Sequence, residues 1–581
     1  MKKLILIILF LLSSSLAYGA GTCWNGGSAG TSPWSVLDGE GGDPSCAEAD
    51  VIYCVETVAS EGETVNVGAG TCPWTGDRTD PINGNYECQL SVSKGLTLVG
   101  GNGGTTTITH DGANKEAVMI SVGFSDYSAE HTVEISNFTF DSKGGLTIAL
   151  GRKGATFSVP FAIQTAKIHD NTFNDSTNSN IKGAAIWNNG TFWGVVYENT
   201  FDHYYPVANS FGTMGTNDSL WANFPQNTFV LGSDDALYYE DNTFTIGSPS
   251  STTSVVMNGE YAPRYVARYN TIIDPHYGGS AFDFHGEQSA MDGGFFVEIY
   301  GNDYTQGATG NNTNFHHQRS GRNKVFLNNI NTTNSRYGYF GIDNSASICP
   351  PAYAEEKMFN DSHYFRNRMN YTGNTMQMSV SATKIDDCAG LDGWPTDGRD
   401  VFDDDSSPGI GCGSSLPGTC TEKETYWLTD QTQSCTNLSN YVGRNPTIPI
   451  VGVLYICGAS NDWSVNYTPY AYPHPLRDDA RVTPVLSVVK VGNGSITSAP
   501  AGIDCGATCW YEYAQDTEIT LTATADPGYD AATYSGDCAA DGTVTVSTDK
   551  TCIVTFNRTD GGAVGTGASF KLGVGSSFKL Y

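Results

Sequence analysis

The chain has 581 residues, with 61 Asp and Glu against 30 Lys and Arg and a formal net charge of −31. That balance argues against nucleic acid and anionic membrane as partners, and against polyanionic glycans unless a local basic patch overrides the global field. Sixty-seven glycines and 12 % aromatic residues, with many Asn and Thr, fit a turn-rich β protein.

The first element is "MKKLILIILFLLSSSLAYGA". Lys2 and Lys3 form a basic start, Leu4 to Leu12 an apolar run, and Ala17-Tyr18-Gly19 a small-residue cleavage site. Residues 1–19 therefore read as a secretory signal. No later stretch reaches the roughly 18 uninterrupted apolar residues of a membrane span, so membrane insertion is not expected. Residues 20–47 form an N-terminal extension. Fifteen cysteines in an exported chain imply an oxidising compartment and several disulfides. None of their spacings makes a zinc signature, and the odd count leaves one thiol free or shared between chains.

From residue 48 the chain repeats itself. "KIHDNTFND", "VVYENTFDH", "LYYEDNTFTIG", "VARYNTIID", "EIYGNDYTQ" and "VFLNNINTT" share alternating apolar residues, then Asn, any residue, and an apolar or aromatic one. The asparagines are Asn171, Asn199, Asn242, Asn270, Asn302 and Asn328. Each unit holds two or three short β-rich runs with no room for a helix. Asn at one point of every unit has a physical reason: stacked amides hydrogen-bond along an axis, and Asn tolerates a bent turn backbone. The pattern resembles the right-handed parallel β-helix of the pectate-lyase-like superfamily. "DVIYCVETVASEGETVNVGAGTC" resembles that superfamily's capping helix and first strands, and "GLTLVGGNGGTTTIT" its first coil. The resemblance covers residues 48–375. It implies a fold and leaves function open, because the fold hosts lyases, hydrolases, epimerases, tailspikes and adhesins.

Residues 376–483 read as an irregular, disulfide-rich C-terminal cap. It closes on "WSVNYTPYAYPHPLRDD", whose prolines and tyrosines suggest an ordered wrap over the end of the coils. Residues 484–558 alternate strictly and resemble a small secreted bacterial repeat domain of immunoglobulin-like size, through "GIDCGATC" and "SGDC". Tyr534 stands where that family usually has tryptophan. The resemblance implies bridges Cys505–Cys509 and Cys538–Cys552. Residues 559–581 are a Gly-rich tail with a repeated Ser-Phe-Lys-Leu, either flexible or a strand for self-association. The expected fold class is all-β: a right-handed parallel β-helix, a solenoid of about eight to ten coils, then a small β-sandwich-like domain.

Within the coils, "AFDFHGEQ" and "NFHHQRSGR" gather titratable residues. His285 lies fifteen residues after Asn270 and His317 fifteen after Asn302. Equal offsets place them on neighbouring coils, about 4.8 Å apart, with Met257 one coil earlier. Asp283 and His285, two apart on a strand, share a face. Two histidines and an aspartate would be costly in a dry core, and Phe282, Phe284 and Phe315 make the better inward set. An outward strip is therefore expected, with Asp283, His285, His317 and Arg319 as catalytic candidates. Arg264, Arg268, Glu287, His316 and Arg322 would bind substrate.

Such a strip suits three roles. A lyase would use His285, His317 or an arginine as base, with an arginine or calcium neutralising a uronate carboxylate. A glycoside hydrolase would use a carboxylate pair drawn from Asp283, Glu287, Glu260, Asp234 and Asp235. A solvated structural wall would use none of them. The Asn-Thr-Asp, Asp-Asp, Gly-His-Gly and Arg-Ile-Lys set of polygalacturonases is missing. The cofactor stays open; calcium could sit at Asp403 to Asp405, though such a run is more often a solvated loop. The leading expectation is a secreted protein, extracellular or at the cell surface, that binds and can cleave polysaccharide or a cell-surface glycan. The alternative is a non-catalytic adhesive or structural protein.

Overall fold

The structure is a computed structural model. It describes residues 22–24, 33–37, 43–80, 87–112, 117–124, 129–151, 164–176, 184–188, 192–202, 207–210, 230–245, 255–260, 264–274, 281–284, 296–306, 315–318, 321–332, 340–342, 361–371, 374–377, 380–382, 401–403, 410–429, 452–459, 461–477, 485–491, 493–505, 510–514, 516–547, 550–557 and 559. The signal segment and the Gly-rich tail lie outside the described residues.

A short helix opens the repeats: Glu48–Ile52 is α-helical and Tyr53–Val58 continues as a π-helix. Val51, Cys54 and Val55 are fully buried, the i, i+3, i+4 stripe of an amphipathic helix. Disulfides Cys23–Cys54 and Cys46–Cys72 tie this start down. With Cys420–Cys457 and Cys538–Cys552 they make four bridges among the described residues, a usage typical of oxidising compartments. No described helix is long and apolar enough to cross a membrane.

The remainder is strand, and the repeats become three parallel ladders. One unit consists of Gln164–His169, Thr172–Asn174 and Ile186–Asn188. The next consists of Phe192–Tyr197, Thr200–Asp202 and Val207–Ser210. Each strand pairs in parallel with its counterpart: Ile168 with Val196, Phe173 with Phe201, Ile186 with Val207. The three strands of a unit are called here the first, second and third strand, and their stacks the first, second and third ladders. Pairing continues past residue 375, as Val380–Ala382 joins the third ladder and Val401–Asp403 the first. This all-β architecture with its long parallel sheet is consistent with a β-solenoid.

The repeated Asn-x-apolar motif writes two of the columns that hold the coils together. Its asparagines are buried and bonded rung to rung: Nδ2 of Asn171 to Oδ1 of Asn199 at 3.1 Å, then on through Asn242, Asn270, Asn302 and Asn328. A further rung, Asn367, accepts from Asn328 at 2.8 Å. The residue before each rung takes the left-handed conformation, as at Glu198 (φ 54), Tyr269 (φ 56) and Leu327 (φ 54), with Gly301 the one glycine in the series. Non-glycine residues adopt this at a cost of about 1–2 kcal/mol, which the buried amide bonds offset. The motif's aromatic forms the inner column: Phe140, Phe173, Phe201 and Phe244 stack face to face in sequence, with centroids 4.6–5.5 Å apart. Ile272, Tyr304 and Ile330 continue it.

The expected cap carries more regular structure than its sequence suggests. Ile410–Gly413, Thr425–Thr429, Gly452–Cys457 and Trp463–Tyr467 form a four-stranded sheet. Segment 463–477 then runs lengthwise along the outer face of the first ladder instead of closing the solenoid's end. Asn466 reaches Asp361, Tyr467 reaches Glu298, and Arg477 reaches Glu198.

At the C-terminal side, one four-stranded and one three-stranded sheet share a core that includes Leu486, Ile496, Ile519, Leu521, Val554 and Phe556. Tyr534, in place of tryptophan, keeps a polar anchor: its hydroxyl donates to Leu521 O at 3.2 Å and accepts from Ala523 N–H at 3.1 Å. Cys538 bonds Cys552 as expected. Cys505 is disulfide-bonded too, while Cys509 lies outside the described residues. Among the described residues the free thiol is Cys88, fully buried.

Candidate functional site

A solenoid can offer chemistry only where outward side chains are reachable. Along the first ladder, Ile168, Val196, Tyr239, Ala267, Ile299 and Val325 point inward into the main core. The alternate residues point outward, yet they are buried as well: Phe326 and Phe365 pack against Trp427, Phe326 also against Tyr467, and Tyr197 lies under Arg477. A strand buried on both faces reads as a continuous apolar run.

Several expected site residues lie on this covered face. Arg268 is 0 % exposed. Its Nε donates to Glu240 at 2.7 Å, Nη1 to the Tyr300 hydroxyl at 3.0 Å and to Tyr470 O at 2.7 Å, and Nη2 to Ala471 O at 2.7 Å. Glu240 also accepts from the His474 N–H at 2.8 Å and from Arg477 at 3.2 Å. Arg477 adds Asp241 at 2.5 Å and Glu198 at 2.9 Å, and lies over the Tyr197 ring at 4.5 Å. Arg264 is buried nearby, its guanidinium pulled down to about 9 by burial against the opposing field of Asp235. Arg322 is half-buried on the same ladder. Of these arginines, Arg268 takes two of its acceptors, the Tyr470 and Ala471 carbonyls, from segment 463–477 that covers it.

The covered face also shifts its titratable groups. Burial raises Glu298 above the usual carboxylate range, although the Tyr467 hydroxyl and the Gly232 N–H both donate to it. Lys324, fully buried, is lowered by burial despite its ion pair with Asp361 at 3.2 Å. His363, 2.8 Å from the Lys324 ammonium, is driven down to about 3 by burial first and that charge second.

The third ladder differs. Leu90, Ile120, Ile148, Ile186, Met257 and Phe282 point into the core. The neighbouring register column runs Ser91, Ser121, Ala149, Trp187, Ala208, Asn258, Asp283 and His317. Its first rungs are closed: the hydroxyls of Ser91 and Ser121 donate to the buried carboxylate of Asp80 at 3.1 and 2.5 Å. Two later rungs are more exposed, Trp187 and Asp283 being half-buried, while Asn258 between them is buried at 7 %. Asn258, Asp283 and His317 occupy consecutive coils, about 4.8 Å apart.

The two histidine-bearing stretches thus meet, in a corrected register. His317 pairs with Asp283, and His316 with Phe282. His316 is consequently inward-facing and 0 % exposed, with its ring centroid 5.9 Å from that of Tyr364; it is no surface ligand. Phe282 and Phe315 face inward as expected, with ring centroids 5.3 Å apart. His285, Glu287 and Arg319 lie outside the described residues. Counting from the ladder asparagines failed because the loop between the second and third strands varies. From Asn171 to Trp187 is sixteen residues, from Asn199 to Ala208 nine, from Asn270 to Asp283 thirteen, and from Asn302 to His317 fifteen. Trp187 and Asn258 escaped the sequence reading for the same reason.

No group of three His, Cys, Asp or Glu side chains suited to a metal occurs among the described residues, and of the acidic run only Asp403 is among them. Chemically, a carboxylate one coil from an imidazole-bearing residue can pass a proton or hold a hydroxyl. A half-buried indole further along the column can stack on an apolar ring face. The fold is all-β with a long parallel sheet, consistent with a β-solenoid, and its third ladder carries Asn258, Asp283 and His317 in one register column. No protein-family model, curated protein or solved structure matches the chain.

Proposed function

We propose that this chain is a secreted right-handed parallel β-helix of the pectate-lyase-like superfamily that engages a polysaccharide along the outer face of its third ladder. A β-sandwich-like bacterial repeat domain would follow the solenoid. The observation that carries the reading is the column Asn258–Asp283–His317 on consecutive coils, with Trp187 in the same column. From Glu198 to Asp361 the first ladder's outer face is occupied by segment 463–477 and so is not a competing groove there. A glycan laid along the axis would meet one column residue per coil. The net charge of −31 favours a neutral or weakly charged glycan over a polyuronate. Asp283 would then act on, or hydrogen-bond, a sugar hydroxyl or glycosidic oxygen, and Trp187 would stack on a ring.

The test is a polysaccharide screen on the chain without residues 1–19, with and without calcium, scored for binding, for unsaturated uronates by ultraviolet absorbance and for reducing ends. The reading expects at least one glycan to bind, with Trp187→Ala weakening binding and Asp283→Asn abolishing any turnover. Binding and turnover unchanged in both variants would refute it. A second reading, a non-catalytic adhesive protein, draws on the burial of Arg264, Arg268 and His316, which removes three expected substrate contacts. It expects binding that Trp187→Ala weakens, and no product from any glycan.

A further inference from the structure

Every coil of the first ladder presents the same backbone at intervals of about 4.8 Å. Backbone geometry therefore gives segment 463–477 no reason to lie at one height rather than a coil higher or lower. The outward side chains do differ from coil to coil. One column reads Tyr197, Glu240, Arg268, Tyr300, Phe326; its outward neighbour reads Val195, Tyr238, Val266, Glu298, Lys324. The segment is complementary to that order. Its Tyr470 and Ala471 carbonyls accept from Arg268, its His474 N–H and Arg477 donate to Glu240, and its Tyr467 hydroxyl donates to Glu298. Glu240, Arg268 and Glu298 are each 1 % exposed or less.

A slip of one coil towards the N-terminus would set the two carbonyls against the Glu240 carboxylate, oxygen facing oxygen. A slip the other way would set them over Tyr300 and bring the Tyr467 hydroxyl to Lys324. Either slip leaves the Arg268–Glu240 pair in place but strips Arg268 of its two carbonyl acceptors and Glu298 of the Tyr467 hydroxyl, and polar groups left without partners in a dry interface are costly. Firm attachment alone does not require these ions, since packed apolar side chains in place of a buried ion pair are often neutral or stabilising. Position does require them. We propose that Glu240, Arg268 and Glu298 form a register lock that fixes segment 463–477, and the four-stranded sheet ahead of it, at a single height on a quasi-repeating face.

The test replaces Tyr470, whose ring centroid lies 5.4 Å from that of Tyr238, with the photo-cross-linker p-benzoylphenylalanine in the full chain. Labelled coils are then read by mass spectrometry. With the native lock, label is confined to the coil carrying Tyr238. In Glu240→Leu/Arg268→Met, label on the coils carrying Val195 and Val266 rises about tenfold or more, the ratio expected when a register penalty worth a decade is removed. Glu240→Arg/Arg268→Glu keeps the pair's charge and mutual bond, and covers the case in which the apolar pair does not fold. It carries the carbonyl acceptors' partner one coil back, so the label moves to the coil carrying Val195. Label confined to the Tyr238 coil in either folded variant overturns the proposal.

Discussion

Replacing Asn242 by alanine probes the asparagine ladder at a fully bonded rung. Nδ2 of Asn242 donates to Val196 O at 2.9 Å, Glu240 O at 3.1 Å and Asn270 Oδ1 at 3.2 Å. Its Oδ1 accepts the Asn199 N–H and the Asn199 Nδ2, both at 3.0 Å. Alanine removes all five bonds from a residue that is 0 % exposed. The Asn199 Nδ2 keeps its carbonyl acceptors, and the Asn270 Oδ1 keeps the Asn242 N–H. The group left stranded is chiefly the Asn199 N–H, since the Val196 carbonyl stays in the parallel ladder. At about 1–3 kcal/mol for a buried polar group without a partner, the loss is roughly 1–3 kcal/mol. That is a sizeable share of the roughly 5–15 kcal/mol typical of a domain. Urea unfolding followed by circular dichroism measures it, with Asn174→Ala, half-buried on the second ladder, as the control. Surface changes of that kind are usually within about 0.5 kcal/mol. A loss for Asn242→Ala no larger than the control's would refute the reasoning, and the ladder would be a by-product of turn geometry.

Three further expectations follow from buried groups. His363, held down to about 3, stays neutral in the folded chain, whereas the unfolded chain takes up its proton near pH 6.5. The contribution is therefore fully present above about pH 6.5 and falls as pH drops towards 3, by up to about 1.4 kcal/mol per unit. Urea midpoints between pH 7 and 4 should fall less steeply for His363→Gln than for the parent, and parallel curves would contradict the assignment. Burial first, and Asp80 second, push the Cys88 thiol up to about 12, so thiol reagents should label it only on unfolding; mass spectrometry showing rapid native labelling at Cys88 would count against its burial. Replacing both Cys538 and Cys552 by serine opens a loop with a sequence separation of 14, worth about 3 kcal/mol. Calorimetry should show a lower melting transition for residues 485–557 with the solenoid's transition unmoved, and a shift of both would contradict independent cores.

The sequence disclosed what repeats and concealed what depends on distance along the chain. Asn171, Asn199, Asn242, Asn270, Asn302 and Asn328 could be read as a ladder because the turn before the second strand is short and constant. The phenylalanines two residues on could be read as an inner column because strand alternation fixes them. Asn367 escaped although "FRNRMN" carries the same Asn-x-apolar pattern and its separation of 39 from Asn328 is less than the 43 between Asn199 and Asn242. The third ladder's register escaped because variable loops precede it, which put His317 opposite Asp283 instead of His285. Arg268 looked like a surface cation because its covers, Tyr470 and Ala471, lie far off in sequence. Alternation does not tell inside from outside when both faces of a strand are buried.

The central claim is that ligand binds the outer face of the third ladder and leaves the first ladder's face closed. Hydrogen exchange measured with and without a saturating glycan from the screen tests this most directly. The account predicts slowed exchange in Met257–Glu260, Phe282–Phe284 and His316–Gln318, with Trp463–Tyr467 and the residues after it to 477 unchanged. Protection at 463–477 and none on the third ladder would contradict it, and would move the binding face to the other side of the solenoid.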